Sequence, residues 1–278
     1  MKAIDVLYNG EDTGKEAFYV TDKGYSIIKV RDFMDILGEH YLRVSDLSNL
    51  FGLDVEGLGN QINIIHSIES SNPNGTNNSL AGKNIVIDPG HSAGANVSPV
   101  DSSYAEGDYV LEVALALEEM LLERNANVYL TRRTGEDVSL YQRGTMYADI
   151  NPDLLLSIHT NAMGNTPQTR ASGVEIIYSV RQTNARPIAE EMMRVIAEHM
   201  NMNTRRVFSR ESSSSTPNNP IDWYGILRHS VDHTHHSFII EGGFHDNPND
   251  LAKLVENNGH LQNAQSILKA IEAYFDIV

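Results

Sequence analysis

The sequence contains no cysteine, which excludes a disulfide framework, a cysteine zinc site and a thiol nucleophile. Basic residues are also few, because 21 Lys and Arg stand against 37 Asp and Glu, giving a formal net charge of −16. Proteins that bind nucleic acid usually carry a basic footprint. We therefore expect no nucleic-acid partner.

Long apolar runs are absent as well. No run reaches the ~18 apolar residues that suggest a membrane-spanning helix, so we expect no membrane insertion. Residues 1–10 lack the apolar centre of a signal peptide. Hydrophobic residues make up 41% of the 278 positions and charged residues 21%. These proportions are typical of a globular protein of one large domain or two.

Several catalytic motifs are missing too. The chain has no G-x-S-x-G nucleophile elbow and no H-E-x-x-H helix. It also has no G-x-x-x-x-G-K-[ST] phosphate loop. A glycosidase would rely on two paired carboxylates and would have no need of histidines at strand ends.

A polar segment divides the chain into two unequal parts. Residues 69–81 read ESSNPNGTNNSLA, a composition typical of a linker. We predict an accessory domain over residues 1–68 and a catalytic domain over 82–278. The first part has the pattern of a small α+β domain. Its predicted strands are Ile4–Tyr8, Ala17–Val20, Tyr25–Val30 and Ile62–Ile65, and its predicted helices are Val30–Leu37 and Val44–Phe51.

The second part alternates between strand-like and helix-like patterns. This alternation predicts an α/β fold, with a twisted, mostly parallel sheet and helices on both faces. The predicted strands are Asn84–Asp88, Val128–Thr131, Leu154–Ile158, Val174–Tyr178 and Phe238–Glu241. The predicted helices are Asp108–Arg124, Gln142–Ile150, Ile188–Met200 and Asn249–Phe275.

Three predicted strands run directly into residues that can bind metal or move protons, namely His91, His159 and Glu241. In open α/β sheets, ligands bind outside the carboxyl ends of the strands. Parallel strands would therefore bring these side chains to one edge of the sheet. Each histidine alone could be a loop or core residue, and Glu241 could be a salt-bridged strand end, but together they favour a shared site.

Glu106 precedes a predicted amphipathic helix, where a carboxylate is also favoured by the helix dipole alone. With His91 and His159 it completes a His-Glu-His set of the kind found in catalytic zinc sites. Such sites leave a fourth position for a water whose pKa zinc lowers to about 7. A nearby carboxylate such as Glu241 would then act as the general base.

Several motifs occur in a specific order over about residues 82–276. They are IVIDPGHSAG, Glu106, TRRTGEDVSLYQRGTMYADINPDLLLSIHTNA, SGVEIIYS, YGILRHS and SFIIEGGFHDNPNDLAKL. This part of the chain resembles the zinc-dependent N-acetylmuramoyl-L-alanine amidases of the amidase-3 type. The resemblance implies one zinc ion held by His91, Glu106 and His159, with Glu241 as the catalytic carboxylate. It also implies cleavage of the amide between N-acetylmuramic acid and L-alanine in peptidoglycan.

The chain departs from the family pattern at His245 and Asp246, which follow the GGF motif. We expect His245 to lie at the periphery of the site. We predict that Asn161 and Gly243 contact substrate. The Ser-rich segment 205–223 is expected to be a surface loop that lines the groove for glycan or peptide.

Arg143, the histidines of residues 229–236 and the first part of the chain are expected to have roles outside metal binding. Arg143 is expected to pair with a carboxylate or to fix a loop, and the histidines of residues 229–236 are expected to form a polar loop rather than a metal site. The first part of the chain, with VLYNGED, GYSIIKVRDFMDILG and NQINII, resembles the small domain at the N-terminus of copper amine oxidases. It carries no copper set here, so it is either a wall-attachment module or a spacer.

The expected protein is a peptidoglycan amidase, and we expect it to be a monomer. We expect it to act at the extracellular cell wall, with any signal peptide absent from this chain. Two alternatives stay open. One is an inactive peptidoglycan-binding protein, and the other is a different zinc amide hydrolase such as a carboxypeptidase, for which Arg206, Arg210 or Arg228 could bind a terminal carboxylate.

Overall fold

The computed structural model describes residues 80–278 in full and, before them, the backbone of the strands alone. The chain separates into two compact units, Met1–Gly75 and Thr76–Val278. Each unit has a sheet of its own. The unit boundary follows Pro73 within the polar segment, where the sequence is poorest in groups that build a core.

The described strands of the first unit form one sheet in the order β4-β3-β2-β1-β6-β5. Strands β1 and β6 pair in parallel and the other neighbours pair antiparallel. The four predicted strands are confirmed, whereas β4 and β5 were not predicted. The predicted helices Val30–Leu37 and Val44–Phe51 lie outside the described residues. The strands are β1 (Lys2–Tyr8), β2 (Glu11–Val20), β3 (Tyr25–Lys29), β4 (Tyr41–Arg43), β5 (Asp54–Leu58) and β6 (Gln61–Ile65).

The second unit contains a mixed sheet in the order β11-β10-β12-β9-β7-β8. Strands β7, β8, β9 and β12 are parallel, while β10 and β11 run in the opposite direction. The predicted mostly parallel sheet is therefore confirmed. Its strands are β7 (Asn84–Pro89), β8 (Asn127–Leu130), β9 (Leu154–Asn161), β10 (Val174–Tyr178), β11 (Thr204–Phe208) and β12 (His236–Phe244).

Helices cover both faces of this sheet. They are α1 (Glu106–Leu122), α2 (Leu140–Thr145), α3 (Ala185–His199), α4 (Gly225–Ser230), α5 (Pro248–Val255) and α6 (Gly259–Ile277). Among the described residues, no helix is long and apolar enough to span a bilayer.

Two helix predictions were wrong because each joined separate elements. The predicted helix Gln142–Ile150 is α2 followed by a 3₁₀ turn at Ala148–Ile150, which ends at Asn151 in the left-handed region (φ 50°). The predicted helix Asn249–Phe275 is α5 and α6, divided at Asn257 and Asn258. Asparagine visits the left-handed conformation more easily than most residues, so it ends a helix that apolar spacing alone would continue.

The two faces of the sheet are buried by different helices. Ile85 and Ile87 of β7 belong to the large core, into which α1, α3 and α6 pack. Val86 and its neighbours Leu155 and Ile239 belong to a smaller core that also includes Ile226 of α4. Successive side chains of a strand point to opposite faces, and burial on both sides explains why these strands read as continuous apolar runs.

The smaller core also sets the face on which the site lies. His159 is four residues beyond Leu155, and Glu241 is two residues beyond Ile239. Because side chains two residues apart share a face of a strand, both ionisable groups extend this apolar face at its carboxyl-end edge.

Candidate metal and catalytic site

His91 is presented by a tight turn that two buried arginines hold in place. Arg143 donates to Asp88 Oδ1 at 2.9 Å, to Pro89 O at 2.7 Å and to the backbone oxygen of His91 at 2.5 Å. Arg132 donates to Pro89 O and Gly90 O, each at 2.8 Å. The turn therefore keeps its shape, including the left-handed backbone of His91 (φ 59°). This confirms that Arg143 pairs with a carboxylate and fixes a loop.

Gly90 allows the turn to approach the ring of His159. A Cβ at this position would lie 2.1 Å from His159 Cε1 and 2.4 Å from Nε2. The ring is also confined on its other side, since its Nε2 lies 3.2 Å from Ser157 Oγ. His159 Nδ1 is thus directed towards the other candidate ligands.

Glu106 begins α1 and is only 2% exposed. Its Oε1 accepts a hydrogen bond from the backbone N–H of Thr160 at 3.0 Å, and its Oε2 accepts one from Asn96 Nδ2 at 2.8 Å. Gly107 next to it leaves room for the backbone of Ser92, whose oxygen would lie 1.8 Å from an added Cβ. The carboxylate is therefore held by the backbone of β9 on one oxygen and by Asn96, which precedes α1, on the other.

These three side chains form one cluster. His159 Nδ1 lies 3.1 Å from His91 Nε2 and 3.0 Å from Glu106 Oε1, and His91 Nε2 lies 3.3 Å from Glu106 Oε1. Among the described residues, His91, Glu106 and His159 are the group of ligand atoms arranged closely enough to hold a metal ion. The structure thus brings together His91 and His159, which follow two different strands and are 68 residues apart.

Charges are distributed unequally within the cluster. Burial acts to raise the pKa of Glu106, but the hydrogen bonds and charges of His159 and His91 outweigh it and hold that pKa well below its usual range. Burial acts to lower the pKa of His159, and the bond to Glu106 outweighs it and raises that pKa to about 9. The carboxylate is therefore ionised, as a metal ligand must be.

Glu241 pairs with His159 across β12 and β9. Burial outweighs the opposing charge of His159 and, together with the nearby charge of Glu106, raises the pKa of its carboxyl group to about 7. Its Oε2 is buried without a hydrogen-bond partner among the described residues. A buried carboxylate oxygen without a partner is costly, so its persistence beside the cluster is typical of a functional group.

The other residues predicted for the site, Asn161, Gly243 and His245, lie outside the metal-ligand cluster. Asn161 donates from Nδ2 to Glu175 Oε2 at 3.1 Å, while Gly243 (φ 142°) faces Met202. His245 is buried behind the cluster, with Nδ1 3.0 Å from Thr160 Oγ1. Its position outside the metal-ligand group agrees with the expected peripheral role.

The histidines of residues 229–236 do not all lie in a loop. His236 is 1% exposed and its Nδ1 lies 3.0 Å from the hydroxyl of Tyr274. His229 belongs to α4. The prediction of a loop was therefore wrong for these two residues, because His236 lies in β12 and His229 lies in α4.

Sequence reasoning missed the carboxylate of Glu175, which is 1% exposed and pairs with Glu241 across β10 and β12. Its Oε1 accepts from Arg206 Nε at 3.0 Å and forms an ion pair with Arg205. Its position beside Glu241 could not be predicted from the sequence, because it depends on β10 running antiparallel to β12. An acidic residue in the otherwise apolar run VEIIY was the signal available in the sequence.

The fold and the site define an α/β protein with a cluster able to hold a metal ion at the carboxyl ends of its parallel strands. Residues 85–273 match the family model described as N-acetylmuramoyl-L-alanine amidase. The chain belongs to this family, the amidase-3 family.

Individual relatives agree with this assignment. A stretch of 201 residues is 28% identical to "Probable cell wall amidase LytH" of Staphylococcus aureus, covering 71% of this chain and 60% of that protein. The chain thus spans about three fifths of the length of the curated relatives it matches.

This chain is also similar to solved structures. Cwp6 from Clostridium difficile is 31% identical with a TM-score of 0.60, and the match covers 69% of this chain and 29% of that one. The catalytic domain of CwlV, an N-acetylmuramoyl-L-alanine amidase from Bacillus (Paenibacillus) polymyxa var. colistinus, is 23% identical with a TM-score of 0.58. That match covers 70% of this chain and 99% of the other, and it supports the fold alone.

Proposed function

We propose that this chain is a zinc-dependent amidase that hydrolyses the bond between N-acetylmuramic acid and L-alanine in peptidoglycan. The observation that carries the proposal is the buried, unpartnered Oε2 of Glu241 beside the cluster of His91, Glu106 and His159. A proton acceptor next to three metal ligands is the arrangement that metal-assisted hydrolysis requires. Membership of the amidase-3 family supports the choice of substrate.

His91, Glu106 and His159 would hold a single zinc ion. Their ligand atoms lie 3.0, 3.1 and 3.3 Å apart. Two ligands at about 2.0 Å from a tetrahedral zinc ion are separated by roughly 3.3 Å, so the spacing fits. Two imidazoles and one carboxylate are also a donor set of catalytic zinc sites. When bound, zinc supplies a Lewis acid that polarises a carbonyl and acidifies water.

Glu241 would move the proton in this reaction. Its carboxylate takes a proton from the attacking water as the water oxygen bonds to the carbonyl carbon. It then gives that proton to the leaving nitrogen as the C–N bond breaks, which yields the lactyl carboxylate and the free amino group of L-alanine. A pKa near 7 suits a group that must both accept and donate a proton near neutral pH.

The remaining assignments belong to the same proposal. Asn161 and Gly243 would contact the substrate, residues 82–278 would form the catalytic domain, and residues 1–68 would form an accessory domain joined by the linker 69–81. With this substrate, the protein would act at the cell wall, outside the cytoplasm. The relative LytH carries the description of a cell wall amidase, which supports this location.

Digestion of purified peptidoglycan tests the reaction. We expect new amino termini of L-alanine to accumulate in the presence of zinc, with no increase in reducing sugar ends. Mass spectrometry of the products would identify stem peptides released intact from the glycan. New reducing ends, cleavage within the peptide, or undigested peptidoglycan would each refute the amidase assignment.

Variants separate metal binding from proton transfer. Glu241→Gln is expected to retain about one zinc ion per chain, measured by elemental analysis after dialysis, and to lose activity by about 10²–10⁴-fold. His159→Ala is expected to lose both zinc and activity. If Glu241→Gln kept full activity, its role as general base would be wrong.

A further inference from the structure

A row of ionisable side chains continues beyond the metal cluster across the sheet. His159 pairs with Glu241, Glu241 with Glu175, and Glu175 with Arg206, so the row runs through β9, β12, β10 and β11. Neighbouring strands lie about 4.8 Å apart. Arg206 is therefore roughly 10 Å from Glu241, on the same face of the sheet.

Arg206 is both held and accessible. Its Nε and Nη2 donate to the buried carboxylate of Glu175 at 3.0 and 3.2 Å, yet its side chain is 54% exposed. Glu175 also pairs with Arg205, so two guanidinium groups surround one carboxylate and leave a local charge of +1. This local positive charge is opposite in sign to the net charge of the chain, which is −16.

A second arginine lies on the short hairpin that follows β11. The hairpin is closed by an antiparallel bridge between Glu211 and Asp222 and by a hydrogen bond from Trp223 N to Arg210 O at 2.8 Å. The guanidinium of Arg210 lies over the indole of Trp223, 4.1 Å from the ring centroid. Within residues 80–278, no carboxylate forms an ion pair with Arg210.

Tyr224 links both arginines to Glu241. Its ring lies 6.5 Å from that of Phe208, over which Arg206 is placed at 4.1 Å. Burial raises the pKa of Tyr224, the charge of Glu241 raises it further, and Arg210 and Arg206 lower it. The contacts of Arg206 with Phe208, of Phe208 with Tyr224, and of Arg210 with Trp223 place these side chains next to one another. We call Arg206, Phe208, Arg210, Trp223 and Tyr224 the arginine–aromatic strip.

We propose that the arginine–aromatic strip binds an anionic peptide and holds a carboxylate two or three residues beyond the scissile amide; this inference rests on the proposed function. An extended chain advances about 3.3 Å per residue, so roughly 10 Å corresponds to about three residues. Guanidinium groups bind carboxylates through paired, charge-assisted hydrogen bonds. The aromatic rings offer flat contact to the peptide between them.

Binding of two matched muramyl peptides tests this proposal. The peptides are identical N-acetylmuramoyl tripeptides, except that the carboxyl groups of the second and third residues are free in one and are carboxamides in the other. Calorimetry with zinc-loaded Glu241→Gln avoids turnover during the measurement. We expect the free acid to bind about tenfold more tightly, and we expect Arg210→Gln or Arg206→Gln in the same background to remove most of that preference.

Arg194→Gln is the matched control, because Arg194 is an exposed arginine on α3 that pairs only with Glu191 and Glu198. It is expected to keep the preference. Equal binding of the two peptides, or a preference that survives both strip variants, would overturn the inference. So would an equal loss for both peptides, which would indicate a sugar or apolar surface instead. Cleavage of peptidoglycan by the unsubstituted chain tests the proposed function separately, so the two failures are distinguishable.

Discussion

Substitution of Gly90 by alanine tests whether close packing of the turn against His159 sets the geometry of the candidate metal ligands. The added Cβ would lie 2.1, 2.4 and 2.6 Å from three atoms of the His159 ring. Carbon atoms pack best at about 3.5–4.0 Å, so ring or turn must move by more than 1 Å. The ring is held by Ser157 behind it, and the turn is held by Arg132 and Arg143.

The expected result is a folded protein with a damaged site. Loss of ligand orientation typically costs 10–100-fold in metal affinity, which corresponds to about 1.4–2.7 kcal/mol. Zinc affinity would be measured by competition with a chromogenic chelator, and folding would be checked by circular dichroism. We expect activity on peptidoglycan at limiting zinc to fall in the same proportion.

Gly164→Ala is the control for this experiment. A Cβ at Gly164 meets no atom within 4 Å, so this variant is expected to bind zinc as the unsubstituted chain does. If Gly90→Ala bound zinc with unchanged affinity while folded, the turn would not constrain His159, and the reasoning would be refuted.

Two further predictions concern stability. Arg143→Met is expected to destabilise the protein by about 3–5 kcal/mol in urea unfolding, because it leaves the buried carboxylate of Asp88 without its cation; a loss below about 1 kcal/mol would contradict this. Burial, with a contribution from His235, lowers the pKa of His236 from 6.5 to about 4, so the folded state keeps this ring neutral. The stability that depends on this neutral ring is fully present above pH 6.5. As pH falls from there towards 4, the free energy of unfolding decreases by up to about 1.4 kcal/mol per pH unit. In His236→Phe, the free energy of unfolding should depend less steeply on pH between 6.5 and 4. An unchanged pH dependence would rule out His236 as its source.

Local pattern was sufficient to predict the parts of the site that depend on parallel strands. His91, His159 and Glu241 each follow an apolar run, and three parallel strands bring such positions to one edge whatever lies between them. Glu106 was harder to assign, because a carboxylate at a helix start has a favourable electrostatic role of its own. Its selection required the resemblance to a family.

What the sequence could not predict depends on tertiary packing. Strand β11 lies within a segment whose serines and exposed arginines read as a loop, and it becomes a strand because β10 offers it a free edge. Glu175 stands beside Glu241 only because β10 runs antiparallel to β12. Asn96, which bonds Glu106, carries no signal in the sequence beyond its tolerance of a left-handed backbone (φ 54°).

The row from His159 to Arg206 has a consequence for how the protein matures. A shift of any of its strands by one residue would turn that strand's side chain to the opposite face of the sheet. The side chains to which we assign metal binding, proton transfer and peptide binding would then no longer share a surface, even if the strands stayed paired and the core stayed apolar. The proposed amidase activity would therefore depend on strand alignment, and a chain with one strand out of register would keep its sheet and core but lose that activity.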